Sequence, residues 1–155
     1  MFYAVEPSIQ MYIAEKSEAL RELYVSSYSY AATANYIHQM ATDKLVELFG
    51  AMHPQYTRQD FYELELATSG MVRSFMARKC DRNFTMEQKL RRFLSCSMTI
   101  YGVAEEKQHQ VIDRVLEMDL KSVADQLVAD AIHQADEQYQ EAERKGKAIE
   151  AARNG

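Results

Sequence analysis

Apolar residues recur along most of this chain at the three- and four-residue spacing that is typical of amphipathic helices. Capping residues, glycines and prolines divide the pattern into segments of helical length. No segment alternates apolar and polar residues with the period of two that indicates a strand. The sequence therefore predicts an all-α protein, a bundle of about six to seven helices.

Three helices are predicted in the N-terminal third of the chain. Pro7 falls early in the first, where it either opens the helix or kinks it. Ser17 is a predicted cap for the second helix, which runs through Tyr28. Ser29 is a predicted cap for the third helix, which ends near Gly50. The inner faces consist of Phe2, Val5, Ile9, Tyr12 and Ile13 in the first helix, and of Ala34, Ile37, His38, Ala41, Leu45, Leu48 and Phe49 in the third.

Two longer helical patterns, joined by a short polar turn, fill residues 57–101. Thr57 with Asp60 and Thr85 with Gln88 have the spacing of capping boxes, so each pair marks the start of a helix. This central pair organises the rest of the prediction, because both of its helices carry more apolar or close-packing surface than one face of a bundle requires.

Small residues share a second face of the first central helix. A glycine inside a helix costs about 1 kcal/mol relative to alanine, so Gly70 indicates a close contact with another helix. The second central helix is apolar over an arc of roughly 200°, wider than an ordinary stripe of about 100°. We predict a symmetric dimer, the commonest soluble oligomer, with a buried helix pair in a monomer as the alternative. The predicted interface comprises Ala67, Gly70, Ser74, Ala77, Leu90, Phe93, Leu94 and Met98.

The C-terminal part is predicted to change from a packed to a polar character. Gly102 is a predicted helix stop, and a shorter helix follows over about 104–117. Asp119 is a predicted cap for the last helix, whose apolar face soon fades. We expect one domain over 1–128 and a polar tail, helical or disordered, over 129–155, because the tail's residues favour helix but offer little to bury.

The composition suits one globular domain and excludes some functions. At 155 residues with 47% hydrophobic content, the chain can bury a core of its own. Its net charge of −5 gives no overall attraction to nucleic acid or anionic membranes. Cys80 and Cys96 stand in no metal or redox spacing, which favours a reducing compartment. No apolar run has the length of a membrane span and no secretory signal is apparent, so we expect a cytoplasmic protein.

Motifs that carry chemistry are nearly absent from the sequence. There is no phosphate-binding loop, no nucleophile elbow and no H-E-x-x-H. Glu106 and His109 form an E-x-x-H pair, and Asp130 and His133 are similarly spaced. A di-iron bundle needs two complete pairs and two further Glu residues, all facing inward. We therefore expect no enzymatic activity, no cofactor and no metal, with a helical metalloenzyme as an alternative.

Two polar residues stand on otherwise apolar faces. On a helical wheel Glu65 falls between Val72 and Met76, where an unpaired carboxylate would be costly to bury. His38 stands in the same way on the apolar face of the third helix. Each is either satisfied by a partner on a neighbouring helix or faces a cavity. These residues taken alone favour a packed core with satisfied polar groups.

Several segments of the chain resemble the C-terminal half of TetR-family transcriptional regulators. In the central pair they are F-Y-E-L-E-L-A-T-S-G-M-V-R-S-F-M, K-C-D-R-N-F-T and K-L-R-R-F-L-S-C-S-M, and upstream they are I-Q-M-Y-I, L-R-E-L-Y and Y-I-H-Q-M-A. The resemblance runs from Phe2 to Met118. It implies that the central pair forms a four-helix dimer interface with a second copy, and that the helices before it enclose an effector pocket.

The resemblance also turns the two polar residues into candidate ligand contacts. A mostly apolar cavity with a few polar groups is a typical site for a small molecule. We therefore predict a small, mostly apolar effector held between the first four helices. The predicted contacts are Tyr12, Tyr24, Tyr28, His38, Glu65, Met71 and Phe75.

A TetR-family regulator also reads DNA through an N-terminal helix-turn-helix module, which needs basic and polar residues for phosphates and base edges. Only 16 residues precede Ser17 here, and none before Lys16 is basic. We expect this chain to lack that module, as a trimmed regulatory half or as a protein that dimerises without reading DNA. A helical structural or protein-interaction domain without a ligand is the alternative class.

Overall fold

The computed structural model describes residues 2–153 of the chain and the side chains of residues 3–145. This part of the chain forms seven α-helices, a 3₁₀ turn at Gly50–Met52 and no β-strand, which confirms the predicted all-α class. The helices are α1 (Phe2–Lys16), α2 (Glu18–Ser27), α3 (Ala31–Phe49), α4 (Arg58–Ala77), α5 (Met86–Ile100), α6 (Glu105–Leu116) and α7 (Leu120–Arg153).

The central helices begin at the two predicted capping boxes. The hydroxyl of Thr57 accepts a hydrogen bond from the amide of Asp60, and the Asp60 carboxylate accepts one from the amide of Thr57. Thr85 and Gln88 exchange the same pair of bonds at the start of α5. Each box satisfies two amides that have no partner within the helix, so the sequence spacing alone locates these two starts.

Two further predicted caps are confirmed and one is wrong. Ser17 accepts a hydrogen bond from the amide of Leu20, and Asp119 accepts one from the amide of Ser122, both at 3.1 Å. Ser29 does not cap α3, because it lies one residue before the capping position, and its hydroxyl is 3.4 Å from the carbonyl of Val25. Tyr30 takes the capping position of α3 without a side-chain hydrogen bond.

Pro7 lies inside α1, which begins at Phe2 and continues to Lys16. The alternative in which Pro7 opens the helix is therefore excluded. Proline has no amide hydrogen, so the carbonyl of Tyr3 cannot receive the usual helical bond from this position. The side chain of Phe2, predicted on the inner face of α1, lies outside the described residues.

The bundle is built around α1 and α4. Helix α1 packs against α2, α4, α5, α6 and α7, while α4 packs against α1, α2, α3 and α5. A smaller cluster of Leu45, Phe49, Phe61 and Tyr101 lies beside the main core. The main core consists of Ala4, Met11, Ala14, Met76, Leu90, Phe93, Leu94, Met98, Ile112, Val115 and Leu120.

The two halves of the predicted dimer interface lie in different environments. Ala67, Gly70, Ser74 and Ala77 are exposed on the outer face of α4, where a Cβ built on Gly70 would meet no atom within 4 Å. The α5 half, in contrast, is covered by helices of the same chain and has no surface left for a second subunit. These buried residues are Leu90, Phe93, Leu94 and Met98.

Helix α7 joins the body to the predicted tail without a break. Leu120 and Ala124 are buried, whereas every described side chain from Ala129 to Lys145 is exposed. Asp125, on the packed part, contacts Lys16 at the end of α1. Burial thus fades within one continuous helix, and the side chains of 146–153 with residues 154 and 155 lie outside the described part.

Candidate functional site

A cavity of about 690 Å³ opens between α1, α2, α3 and α4. Its size falls within the range of about 300–1,000 Å³ that small-molecule sites occupy. Most of the wall is aliphatic or aromatic, and the polar groups lie at a few points. The aliphatic part of the wall consists of Val5, Pro7, Ile37, Met40, Ala41, Leu45, Leu48 and Val72.

Four tyrosines supply most of the aromatic surface of the cavity: Tyr3, Tyr24, Tyr28 and Tyr36. Burial raises the pKa of Tyr3 to about 12, and burial together with the charge of nearby Glu65 raises the pKa of Tyr28 to about 12. Both hydroxyls therefore stay protonated at neutral pH. They add neutral polar groups to the largely apolar wall.

Glu65 is the buried acid of the cavity, with 7% of its surface exposed. Its Oε2 atom accepts a hydrogen bond of 3.1 Å from the hydroxyl of Thr68, which lies 2.8 Å from the hydroxyl of Tyr101. Its Oε1 atom lies 3.4 Å from Nδ1 of His38, a long distance for a hydrogen bond. The carboxylate of Glu65 thus has one hydroxyl donor, whose single proton it shares with the carbonyls of Leu64 and Glu65, and one distant imidazole nitrogen.

The contact between Glu65 and His38 is not an ion pair. Burial raises the pKa of Glu65 to about 7, and the hydrogen bond from Thr68, which lowers it, offsets only part of that effect. Burial lowers the pKa of His38. An ion pair would instead lower the pKa of the glutamate and raise the pKa of the histidine. Near neutral pH the histidine is therefore neutral, and Glu65 has no cationic partner among the described residues.

The remaining charges of the cavity lie at its rim. Nζ of Lys44 donates to Oε2 of Glu6 at 3.1 Å, so this lysine is already paired. Glu47 is exposed and makes no ion pair with any described residue. Among the described residues that line the cavity, three carry a carboxyl group and one carries an ammonium group. The cavity is therefore acidic whenever Glu65 is ionised.

The structure brings some of the predicted ligand contacts together and separates the others. Tyr24, Tyr28 and Glu65 line the cavity, whereas His38 does not line it but lies 3.4 Å from Oε1 of Glu65. The other three residues do not line it but pack against the main core: Tyr12, Met71 and Phe75.

A helical wheel explains this separation, because it gives the face of a residue and not its height along the axis. Phe75 shares the inner face of α4 with Glu65 but lies almost three turns further along. Its ring packs against the rings of Phe84 and Phe93, with centroid distances of 6.2 and 5.8 Å. The cavity occupies only the end of the bundle that contains the start of α1.

Tyr3, Lys44 and Thr68 are residues of the cavity that were not predicted as ligand contacts. A sequence pattern could have identified Tyr3, because Tyr3, Pro7 and Gln10 follow the helical spacing of one face of α1. For Lys44 no such signal exists, since it is an ordinary polar residue until the partner helix is known. Thr68 stands on the predicted inner face of α4, where its hydroxyl offers a hydrogen bond to Glu65 one turn away.

Neither E-x-x-H pair lies in a cluster of potential ligands. His109 and His133 are exposed, and each lies within 4 Å of a carboxylate one turn away on its own helix. Across the side chains that the structure describes, no group of three or more His, Cys, Asp and Glu residues could hold a metal ion. The cavity is therefore the candidate site on which a functional proposal can rest.

Comparison with protein-family models, with curated proteins and with solved structures finds no match. Within the described residues, no helix is both long and apolar enough to cross a membrane. The chemistry of the cavity and the surfaces of the bundle thus provide the grounds for assigning a function.

Proposed function

We propose that this chain is the effector-binding and dimerisation half of a TetR-like transcriptional regulator, whose cavity binds a small, mostly apolar molecule. The observation that carries the proposal is the cavity of about 690 Å³ between α1, α2, α3 and α4. It lies between the helices that the TetR-family resemblance assigns to the effector pocket. Its wall is mainly apolar, with a few buried polar groups, as in typical small-molecule sites.

Dimerisation is proposed through the outer face of α4. This face carries Ala67, Gly70, Ser74 and Ala77, whose small side chains allow a second helix to approach closely. The buried residues of α5 do not take part, because the chain's own core already covers them. A C2 dimer would place α4 of one protomer against α4 of its partner.

Regulation in this proposal works by a shift between two arrangements of the dimer. DNA reading would belong to a helix-turn-helix module joined to this chain. An effector that binds one arrangement more tightly would favour one spacing of the two modules, and so change their fit to the half-sites of an operator. The chain itself has no catalytic role in the proposal.

Ligand binding is tested with N-phenyl-naphthylamine, a neutral apolar fluorophore, and with the variant Ala41→Phe. The half-buried Ala41 lines the cavity, so a phenyl ring there would fill part of the space. We expect saturable binding of the fluorophore to the wild-type chain and about tenfold weaker binding to the variant. Ala129→Phe, at an exposed position of α7, is the matched control. Absence of saturable binding to the wild-type chain would refute the proposal.

The dimer is tested by sedimentation of Gly70→Leu. Leucine at this position has free space in the isolated chain, because no atom lies within 4 Å of a Cβ built there. We expect a dimer for the wild type and a monomer for the variant, with Gln110→Leu on the exposed face of α6 as the control that stays dimeric. A wild-type monomer at micromolar concentration would remove dimerisation from the proposal.

A further inference from the structure

We propose that the cavity selects hydrophobic organic cations, with the positively charged nitrogen of the ligand against the carboxylate of Glu65. The inference rests on the proposed function, because it assigns a ligand class to the same cavity. It goes further in one respect, since a mostly apolar cavity alone would accept neutral, anionic and cationic molecules of similar size. The choice among these three classes follows from the charges and the aromatic groups in the wall.

The first step is the incomplete bonding of Glu65. Oε2 has the hydroxyl of Thr68 at 3.1 Å, whose one proton backbone carbonyls also attract, and Oε1 has only the neutral imidazole of His38 at 3.4 Å. A buried carboxylate with no cationic partner is strongly disfavoured in its charged form, unless a cation reaches it. An ammonium group within the cavity would supply both the charge and the missing hydrogen bond. Charge-assisted bonds of this kind are about twice as strong as neutral ones.

The second step is the sign of the other charges. Lys44 is held by Glu6 at the rim, and Glu47 adds a further carboxylate there. An anionic ligand would therefore meet an excess of negative charge, both at the mouth of the cavity and at its buried acid. A cation is attracted at both places. The electrostatics of the wall thus favour cations over anions throughout the path to Glu65.

The third step is the aromatic surface. Tyr3, Tyr24, Tyr28 and Tyr36 line the same cavity as Glu65. Tyrosine rings attract organic cations through the negative potential of their faces, which adds to the attraction of a carboxylate. The aliphatic wall that includes Ile37, Met40 and Leu48 accepts the hydrocarbon part of the ligand. A hydrocarbon body with one charged nitrogen matches both parts of the cavity.

Cation binding would be coupled to the ionisation of Glu65. When Glu65 is protonated, its carboxyl proton must leave to solvent as the ammonium group arrives, so about one proton is released per ligand bound. The other titratable groups that act on Glu65 or contact it are His38 on α3, Tyr3 on α1, and Tyr28 and Tyr101 just after α2 and α5. Burial lowers the pKa of His38, and it raises the pKa of each of the three tyrosines.

The test compares three ligands of one shape: phenylbutylamine, phenylbutanol and phenylbutyrate, which are a cation, a neutral molecule and an anion. Isothermal titration calorimetry at pH 8 should give at least about tenfold tighter binding for the amine than for the alcohol, and the weakest binding for the acid. At pH 5, where Glu65 holds its proton, the preference for the amine should disappear. Calorimetry in buffers of different ionisation enthalpy should show proton release near pH 6.

Glu65→Gln keeps the size of the side chain and removes its charge. It should bind phenylbutanol as the wild type does and lose the preference for phenylbutylamine. Glu106→Gln, at an exposed position of α6 that does not line the cavity, is the matched control and should keep the preference. If Glu65→Gln does not fold, the pH dependence of the wild-type preference still decides the question.

Two negative results are distinguishable. Binding of the alcohol and the amine with equal affinity at pH 8 would overturn the inference and leave the proposed cavity function standing. Failure of all three ligands and of N-phenyl-naphthylamine to bind saturably would overturn both.

Discussion

Two glutamates, the partly buried Glu15 and the buried Glu65, lie near opposite ends of α1 and have opposite surroundings. Near the end of α1, Glu15 accepts a hydrogen bond of 2.6 Å from Nζ of Lys89 and two bonds from the amide of Cys80. Lys89 is fully buried and also donates to the carbonyl of Arg78. Beside the start of α1, Glu65 has no lysine or arginine partner among the described residues.

The difference in partners decides the charge of each acid. Burial would raise the pKa of Glu15, but the hydrogen bonds and the charge of Lys89, with the Cys80 amide, outweigh it and lower the pKa. For Glu65 burial prevails, and the pKa rises to about 7. A paired acid fixes a turn of the backbone, whereas an unpaired acid beside a cavity is available to a ligand. The same residue type therefore has a structural role at one end of the bundle and a proposed binding role at the other.

The largest effect on stability is expected from Lys89→Met, which breaks the Glu15–Lys89 pair. It leaves the partly buried carboxylate of Glu15 without its cation; breaking a fully buried pair costs roughly 3–5 kcal/mol in free energy of unfolding, and this loss should approach that range. Urea denaturation measures the change. Adding Glu15→Gln should recover part of the loss, because the amide removes the charge but keeps an acceptor for the Cys80 N–H.

The control for this variant is Lys44→Met, which breaks the exposed pair of Lys44 and Glu6. Both side chains are more than half exposed, at 58% and 59%. Surface pairs contribute about 0–1 kcal/mol, so this change should be small. A loss after Lys89→Met that is no larger than this control would contradict the structural role of the Glu15–Lys89 pair.

The second effect is a pH dependence of stability that arises from Glu65. Its pKa rises from an ordinary value of 4.5 to about 7 in the folded chain, so between these values the folded state holds a proton that the unfolded chain releases. The contribution to stability is complete below pH 4.5 and is lost as the pH rises to about 7. This shift in pKa corresponds to a fall of roughly 3 kcal/mol in the free energy of unfolding as the pH rises from below 4.5 to above 7.

Urea denaturation of Glu65→Gln across this pH range isolates that contribution. The variant should lack the fall and should be more stable than the wild type above pH 7, because glutamine carries no charge to bury. Glu47→Gln should keep the wild-type slope. A wild-type slope that persists in Glu65→Gln would assign the pH dependence to another group.

The smallest effect is expected from Thr68→Val, which should widen the difference in pKa between Glu15 and Glu65. The hydroxyl of Thr68 lowers the pKa of Glu65, so its loss should move that pKa further above 7, as carbon NMR of the carboxyl group would show. The variant also removes the hydrogen bond between Thr68 and Tyr101, with a cost of about 1–2 kcal/mol. Thr99→Val, distant in sequence and bonded on α5, should leave the pKa of Glu65 unchanged. A pKa of Glu65 that stays unchanged in Thr68→Val would show that this hydroxyl does not influence its ionisation.

The sequence predicts the helices well because their signals are local. The capping boxes at Thr57 and Thr85 each need only residues within one turn, and both are formed. Ser29 fails as a cap because it lies one residue before the capping position, which Tyr30 takes. Glu65 could be identified since a carboxylate within an apolar arc requires an explanation.

The rest of the site depends on contacts between distant residues. The same reasoning would have identified Lys89, which stands on the apolar arc of α5, but its partner Glu15 is 74 positions away. The wide apolar arc of α5 suggested a second subunit, and in the structure α1, α4 and α6 of the same chain cover it. Hydrophobic periodicity predicts which faces of a helix are buried, but it does not predict which helices cover those faces.

Pro7 has a mechanical consequence for the wall of the cavity. It separates the first turn of α1, which contains the cavity residues Tyr3, Val5 and Glu6, from the part of the helix that Glu15 clamps to Lys89. One rung of the hydrogen-bond ladder is missing at this junction, because proline has no amide hydrogen. Bending therefore costs least at this junction, so the first turn of α1 can tilt beside the cavity while the Glu15–Lys89 pair holds the far end of the helix.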